Sequence, residues 1–299
     1  MKMFEIVPNF STSDRSVING IIDEIKKYGG NILDVDADKN HNRTVITFVC
    51  SENIIYLLYN MVKKASELID MDLHRGLHPR IGATDVLPVI PLLDSTMDDA
   101  VKISKIIGER IGNDLNIPVY LYGESANSRY RKEISYIRNT KFQYEDLKMH
   151  INDKKYKPDY GPSEVGKAGA LLVGARDFLI AYNVYLNTDS KDIGNEIAKS
   201  IRYKNGGLRY VRSLPLFIEN DNMIQISMNI LDYKKNPVYR VYEFIATEAR
   251  KYNLSIVKSE IIGLLPEDAV TSTLNYYIKS NLNSKKVLEY NILTNNGYK

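Results

Sequence analysis

Ile32-Leu33-Asp34-Val35-Asp36 and Arg43-Thr44-Val45-Ile46-Thr47-Phe48-Val49-Cys50 stand on either side of the polar run Asp38–Asn42. The second segment is rich in β-branched and aromatic residues and the interval has turn composition, so the pair reads as two strands of a hairpin. What flanks it decides the fold. Upstream, Phe4–Val7 is a short apolar strand stopped by Pro8-Asn9. A helix follows, with Thr12 or Ser13 as its cap, apolar positions Val17, Ile18, Ile21, Ile22 and Ile25, and Gly29-Gly30 as its stop. Downstream, Ser51 caps a second helix, Glu52–Ile69, which buries Ile55, Leu58, Val62, Ala65 and Ile69. A Gly- and Pro-containing loop, Met71–Ala83, then leads to a fourth strand, Asp85–Pro91. The order is β-α-β-β-α-β.

Beyond it, Ser95-Thr96 opens a helix carrying Ile103, Ile106, Ile107 and Ile111, and Pro118–Tyr122 reads as a strand. Ser125–Lys167 is polar, charged and tyrosine-rich without a clean period, which predicts loop with a short helix. From Phe178 the first order starts again. Phe178–Leu186 is a strand, Asp189–Tyr203 a helix broken by Gly206-Gly207, and Leu208–Ile218 a strand whose Pro215 marks an edge or a bulge. Met223–Leu231 alternates cleanly. Asn236-Pro237 caps a helix running to Tyr252, with the proline at its first position, and Ser255–Ile261 closes the unit. A tail helix from Pro266 and a last strand, Val287–Leu293, complete the reading. The expected class is therefore α+β, with two tandem ferredoxin-like units as domains 1–175 and 176–299.

Composition narrows the function. Forty Lys+Arg against 37 Asp+Glu leaves a net charge of +3, with no basic excess to mark a nucleic-acid or membrane-surface protein. No apolar run approaches ~18 residues, and the acid and proline near the N-terminus break any leader pattern. One cysteine, Cys50, allows no internal disulfide. A cytoplasmic globular protein is expected.

Topology turns the first unit into a spatial expectation. The first two strands run one way and the last two return. The end of strand one, the hairpin turn and the loop before strand four must then share one sheet edge. That edge collects Asn9, Asp36, Asn42, Arg43 and the loop His74-Arg75-Gly76-Leu77-His78-Pro79-Arg80. Loops on a rigid scaffold are where function concentrates. Each residue also has an ordinary reading: Asn9 and Asp36 as turn formers, Arg43 as a solvated strand end, the histidines as satisfied surface groups. His74 and His78 have the spacing of a helical metal pair, but Gly76 and Pro79 argue against a helix and no third ligand is spaced to join them, so no metal is expected. There is no GxGxxG after a strand and no GxxxxGK[ST], which removes dinucleotide and P-loop readings. Cys50 inside a strand is a poor nucleophile. Gly161, Gly166, Gly169 and Gly174 flank Pro162-Ser163 and Arg176, a composition that fits a backbone wrap around a planar or anionic ligand, or a flexible linker.

The residues also carry a family resemblance. Val7-Pro8-Asn9-Phe10-Ser11, Leu33-Asp34-Val35-Asp36-Ala37, Asn42-Arg43-Thr44-Val45 and His78-Pro79-Arg80-Ile81-Gly82-Ala83 resemble signature segments of glutamate formimidoyltransferases. Further matches are Val119–Glu124, Asp159-Tyr160-Gly161-Pro162-Ser163, Gly174-Ala175-Arg176, Asn229-Ile230-Leu231-Asp232 and Gly263-Leu264-Leu265-Pro266, in order along nearly the whole chain. The stretch Arg138–Tyr144 departs by lacking the glycine usual after the arginine, and the segment after Ser163 resembles a shorter version of the family's. The resemblance implies two ferredoxin-like subdomains with an active-site groove or tunnel between them, usually in a homodimer. It implies transfer of the formimino group between N-formimino-L-glutamate and N5 of tetrahydrofolate, a step of histidine breakdown, with tetrahydrofolate as co-substrate. It puts the catalytic histidine at His78 and a folate-contacting segment at Gly161, Pro162, Ser163 and Gly169.

Chemistry assigns the remaining expectations. Glutamate leaves as a poor leaving group that needs a proton, which a positioned His78 supplies, a general acid/base effect of about 10²–10⁴-fold. Asp36 would orient the imidazole or hold the amidine. Arg43 and Arg80 would take substrate carboxylates, and Asn9 belongs to the same edge. Two rivals are carried: a folate enzyme using 5-formyltetrahydrofolate as formyl donor, and a non-catalytic ferredoxin-like binder of ligand or RNA, for which Arg209-Tyr210-Val211-Arg212 is the best basic-aromatic segment.

Overall fold

A computed structural model describes residues 2–295 and divides the chain into two compact units, Met1–Asp177 and Phe178–Lys299. In unit 1 the first strand is split by Pro8, which has no N–H to give to a ladder. Its halves, β1 (Lys2–Ile6) and β2 (Asn9–Phe10), both lie between the same neighbours, and Pro8 keeps the register by accepting a hydrogen bond from Ile46 N at 3.1 Å. Then come α1 (Arg15–Lys27), β3 (Asn31–Asp38), β4 (Arg43–Cys50), α2 (Ile54–Leu68), β5 (Thr84–Leu93), α3 (Met97–Asp114), β6 (Val119–Gly123), α4 (Tyr144–His150) and β7 (Leu171–Ala175). The sheet order is β3-β4-β1/β2-β5-β7-β6. Its first four positions are antiparallel and have the expected ferredoxin-like order. β7 and β6 extend it in parallel beyond β5.

Alternation sorts the two faces of this sheet. Phe4, Ile6, Phe10, Ile46 and Phe48 join the apolar core with Ile21 and Ile25 of α1 and Leu57, Leu58 and Met61 of α2, all buried. Each such side chain is worth about 1.5–3 kcal/mol on leaving water. The opposite face carries Glu5, Asn9, Arg43 and Thr47. Glu5 lies across from Val49 and Ile90, Asn9 across from Val45.

Unit 2 is the second copy: β8 (Ile180–Leu186), α5 (Lys191–Ile201), β9 (Val211–Ile218), β10 (Met223–Ile230), α6 (Val238–Arg250) and β11 (Ile256–Ile262), in sheet order β11-β8-β10-β9. Pro215 sits on β9, an edge strand, as its missing donor requires. The tail is α7 (Glu267–Ile278) and α8 (Leu288–Asn295).

Several local expectations need correction. The N-cap of α1 is Asp14, which accepts from Ser16 and Val17 N–H, because its carboxylate, one or two residues closer than Ser13 and Thr12, reaches the free N–H groups of the first turn. α2 starts after Asn53 in a left-handed conformation (φ 53°) with no side-chain cap, not at Ser51. Pro237 is the N-cap of α6 rather than its first residue. Val287–Leu293 is not a strand: Ser284–Lys286 forms a 3₁₀ turn and α8 begins at Leu288. β7 has no counterpart in the sequence reading, because Leu171-Leu172-Val173-Gly174-Ala175 is buried throughout and shows no alternation.

The glycines Gly82 and Gly169 let two chain segments touch. They form an isolated bridge, Ala83 N donates to Ala168 O and Ala170 N to Ile81 O (both 2.8 Å), so the segment after Ser163 is zipped to the loop before β5. A Cβ on Gly169, whose φ is +72°, would lie 2.2 Å from Ile81 O. Gly169→Ala is therefore expected to cost at least the 1–3 kcal/mol or so of a strained left-handed residue. Urea unfolding measures it, and a loss below about 0.5 kcal/mol would show that this zipper yields.

Candidate functional site

The sheet edge expected from topology exists. Asn42 holds the hairpin turn (φ 45°). Its Nδ2 donates to Arg75 O at 2.9 Å, and its Oδ1 accepts from Ser13 N at the same distance. Arg43 Nε and Nη2 both donate to Asn9 Oδ1 (3.1 and 2.8 Å). The 74–80 loop is thereby tied to β2 and β4.

At the centre of these bonds is Asp85, fully buried at the start of β5. Its Oδ1 accepts Ile81 N at 2.8 Å. Its Oδ2 meets Arg43 Nη1 at 2.8 Å and Arg138 Nη2 at 2.9 Å. One carboxylate thus braces two guanidiniums and the loop that carries His78. Asp85 and Arg138 were not among the sequence candidates. Arg138 lies in the aperiodic stretch before α4, where nothing in the local pattern shows that its side chain is buried.

The two loop histidines separate in role. His74 is buried. Arg80 Nε donates to its Nδ1 at 3.1 Å, so Nε2 carries the proton and donates to Asn42 O at 2.9 Å. Burial, reinforced by Arg80 and Arg43, pulls its pKa below the ordinary value, against the bond to Asn42. Both ring nitrogens are engaged in structure. His78 is half-buried, and its Nδ1 donates to Pro79 O at 2.8 Å, which leaves Nε2 as the lone pair. Burial first, then the charges of Arg43 and Arg138, hold it well below 6.5, against the bond to Pro79. It is a neutral base at physiological pH. The His41 ring meets it edge-to-face with centroids 6.0 Å apart, and His41 Nδ1 lies 3.2 Å from Asp38 Oδ2. His41, on the polar turn, was another residue missed by the sequence reading.

The other expected residues fall as follows. Asp36 lies on β3 across from Val45, and the His78 Nδ1 bond expected of it is made by the Pro79 carbonyl instead. Arg80 is buried, and its fork is given to Glu145 (2.6 and 2.8 Å), with Gln143 at 3.0 Å. Gly161 (φ +81°) brings the backbone against Ile117 O and Gly112. Pro162 is half-buried and Ser163 exposed, while Gly169 serves the zipper described above. Cys50 is buried and its thiol is pushed up to about 12 by burial, which disqualifies it as a nucleophile.

The polar face extends along the sheet. Glu5 pairs across to Ile90. Two residues back, Pro88 pairs with Gly174, and Gly174 with Tyr122, so Glu5 and Tyr122 occupy one face. Among the described residues five buried side-chain polar atoms have no hydrogen-bond partner: Glu5 Oε2, Thr84 Oγ1, Tyr122 OH, Arg138 Nε and Gln225 Oε1. Four belong to unit 1 and to this face or to Asp85's surroundings. Orphaned buried polar atoms are rare in folded proteins, and each calls for a water, a ligand or strain to account for it. Burial pushes the Glu5 carboxyl up to about 7, opposed by the charge of Arg176. Arg176 also faces Tyr122 but cannot accept its proton, since a guanidinium only donates. In unit 2 the corresponding sheet carries its own cluster, Glu260 Oε1 accepting from Tyr185 OH (2.7 Å), Asn183 Nδ2 (3.0 Å) and Gln225 Nε2 (3.3 Å). A separate cavity of about 640 Å³ is lined by Arg131, Tyr136, Lys155 and Asp159 among others and shares no residue with the His78 network. Arg131 is locked there to Asp159 at 2.8 Å.

Comparison with known proteins gives the family. The profile "Formiminotransferase domain, N-terminal subdomain" matches residues 3–176, and "Formiminotransferase domain" matches residues 181–293. The chain is 51% identical over 284 residues to a glutamate formimidoyltransferase of Thermoplasma acidophilum, covering 94% of each chain. It is 40% identical over 282 residues to one of Streptococcus pyogenes, covering 93% of this chain and 94% of that one. A formimidoyltransferase-cyclodeaminase of Dictyostelium discoideum is 39% identical over 292 residues, 94% of this chain but 54% of the longer protein.

The raised Glu5 carboxyl has a consequence for stability. A folded value of about 7 against an ordinary 4.5 means the folded state holds the proton more tightly. Its contribution to stability is full below pH 4.5 and is lost as pH rises through 7, by about 3 kcal/mol. Glu5→Gln removes that titration, so the stability difference between variant and parent should grow in the variant's favour across this window. Urea unfolding of both proteins from pH 4.5 to 8 measures it, and a difference that stays constant with pH refutes the assignment.

Proposed function

The chain belongs to the formiminotransferase family, and on that premise we propose that it is an enzyme that transfers the formimino group between N-formimino-L-glutamate and N5 of tetrahydrofolate, giving 5-formimidoyltetrahydrofolate and L-glutamate. The observation that carries the mechanism is the state of His78: neutral, with Nδ1–H committed to Pro79 O and Nε2 free.

N5 of tetrahydrofolate attacks the amidine carbon of the donor, forming the new C–N bond and a tetrahedral centre. Nitrogen becomes more acidic as it gains that bond, and His78 Nε2 takes its proton. The resulting imidazolium returns the proton to the α-nitrogen of the glutamyl group. The old C–N bond breaks, glutamate departs as an amine, and His78 is neutral again. The histidine is thus base first and acid second, a different order from that expected of a histidine charged at rest. A depressed pKa suits the second step, because the protonated ring is then the stronger acid. The cost falls on the first step, where the base is weaker. Holding both substrates in line beside Nε2 supplies the rest.

Support for this reading is the similarity over both subdomains together with a histidine loop braced by Asp85. The same reading includes tetrahydrofolate as co-substrate, a place in histidine breakdown, a cytoplasmic homodimer and no requirement for metal or nucleic acid.

Purified protein supplied with formiminoglutamate and tetrahydrofolate should release L-glutamate, followed by a coupled assay. His78→Gln should lower kcat about 10²–10⁴-fold with little change in melting temperature. With His78 well below 6.5, kcat/KM should stay level from pH 8 down to 6.5 and fall only at lower pH. Near-parental turnover in His78→Gln ends the assignment.

A further inference from the structure

We propose that Arg138 and Tyr122 form a receptor for a carboxylate of the amino-acid substrate, a subsite distinct from the histidine that moves the proton. The identity of the carboxylate's owner rests on the transfer reading above, whereas the subsite itself rests on charge and on hydrogen-bond satisfaction.

Arg43 and Arg138 share one carboxylate. Among the described residues no second acid lies within ion-pair distance of either, so Asp85 leaves one positive charge of the pair without a counter-ion in a buried setting. Buried charge is retained where something neutralises it. Of the two guanidiniums, Arg43 is occupied, with Nε and Nη2 on Asn9 and Nη1 on Asp85. Arg138 has Asp85 alone, and its Nε–H has no acceptor. Tyr122, on β6, stands by Arg176 first and under the field of Arg138 as well, and carries a buried hydroxyl that also lacks an acceptor, since neither guanidinium can take its proton.

A cationic N–H and a neutral O–H, both buried and both without an acceptor, define the ligand: an anion with two oxygens. A carboxylate fits the planar fork of arginine and can accept the phenol proton as well. The row of the sheet beside Tyr122 is occupied by Gly174, where a Cβ would clash with Tyr122 itself, so no side chain competes for this position. Arg80 is excluded from the same duty by its bidentate pairing with Glu145. Arg138 and Arg43 share Asp85 Oδ2 while Asp85 Oδ1 holds Ile81 N, three residues after His78, which ties the receptor to the loop of the reacting centre.

The test is direct binding of L-glutamate, and of glutarate and butyrate, to the full chain by titration calorimetry, alongside steady-state kinetics. Arg138→Gln should weaken L-glutamate and glutarate binding and raise KM for the donor about 30-fold or more, with KM for tetrahydrofolate within about twofold. Tyr122→Phe should weaken the dicarboxylates about 3- to 10-fold, and Arg138→Lys should recover part of the loss because it restores charge without the fork. Butyrate, lacking the second carboxylate, should respond less to Arg138→Gln than glutarate does. Unchanged glutamate affinity in a folded Arg138→Gln, equal losses for glutamate and tetrahydrofolate, or no glutamate binding by the parent protein overturns the proposal. If Arg138→Gln does not fold, Tyr122→Phe decides on the same readout. Glutamate binding that depends on Arg138 in a parent protein without formimino transfer would instead remove the transfer reading and leave the subsite standing.

Discussion

The structure of unit 1 depends on a single buried carboxylate. Asp85 has no exposure, and both of its oxygens are used: one on the backbone of Ile81, the other on Arg43 and Arg138. Through these bonds it joins β5 to β4, to the histidine loop and to the aperiodic segment that precedes α4. Burying an ion pair seldom adds net stability, because desolvation offsets the attraction. What such a pair does is make wrong arrangements expensive: a slipped register would leave the carboxylate or a guanidinium unpaired in a dry interior. The loop that holds His78 is therefore held in one place by electrostatics rather than by its own composition, which is glycine- and proline-interrupted.

The same charges set the chemistry. Two histidines four residues apart receive opposite duties from their surroundings. His74 has a donor on one ring nitrogen and an acceptor on the other, and becomes part of the brace. His78 has one nitrogen committed and one free, under the positive potential of the two arginines that Asp85 gathers. A depressed imidazole is a weak base and, once protonated, a strong acid. Such a group suits a reaction whose difficult moment is the departure of an amine.

The two units share a topology but not an endowment. Unit 2 is a plain four-stranded repeat. Unit 1 continues past β5 into α3, β6 and β7, and this extension supplies Tyr122, Arg138 and Arg176 to the polar face. Parallel strands of this kind need a covered crossover, and α3 provides it. The zipper between residues 81–83 and 168–170 then returns the chain to the histidine loop, with Gly82 and Gly169 admitting the close backbone approach. Of the glycines that read as a ligand wrap in the sequence, Gly169 and Gly174 stand where a Cβ would meet the backbone of Ile81 and of Tyr122.

Element order, the duplicated β-α-β-β-α-β plan and the gathering of Asn9, Arg43 and the His74–Arg80 loop at one edge were determined by sequence alone, because periods of two and 3.6 residues and the direction of successive strands are local properties that propagate into topology. Helix starts were displaced by one or two residues, and at α1 neighbouring Thr, Ser and Asp compete for the same cap and only geometry selects Asp14. β7 was invisible because burial on both faces erases alternation, and the tail helix α8 because a short apolar run suits either structure. Glu5, Asp85, Tyr122 and Arg138 needed the tertiary structure. Nothing local distinguishes a strand glutamate, a strand tyrosine or a loop arginine that faces solvent from one that is buried. Their roles arise from pairing across separations such as the 53 positions between Asp85 and Arg138, where the dielectric and the partner are set by parts of the chain that the neighbouring residues do not encode.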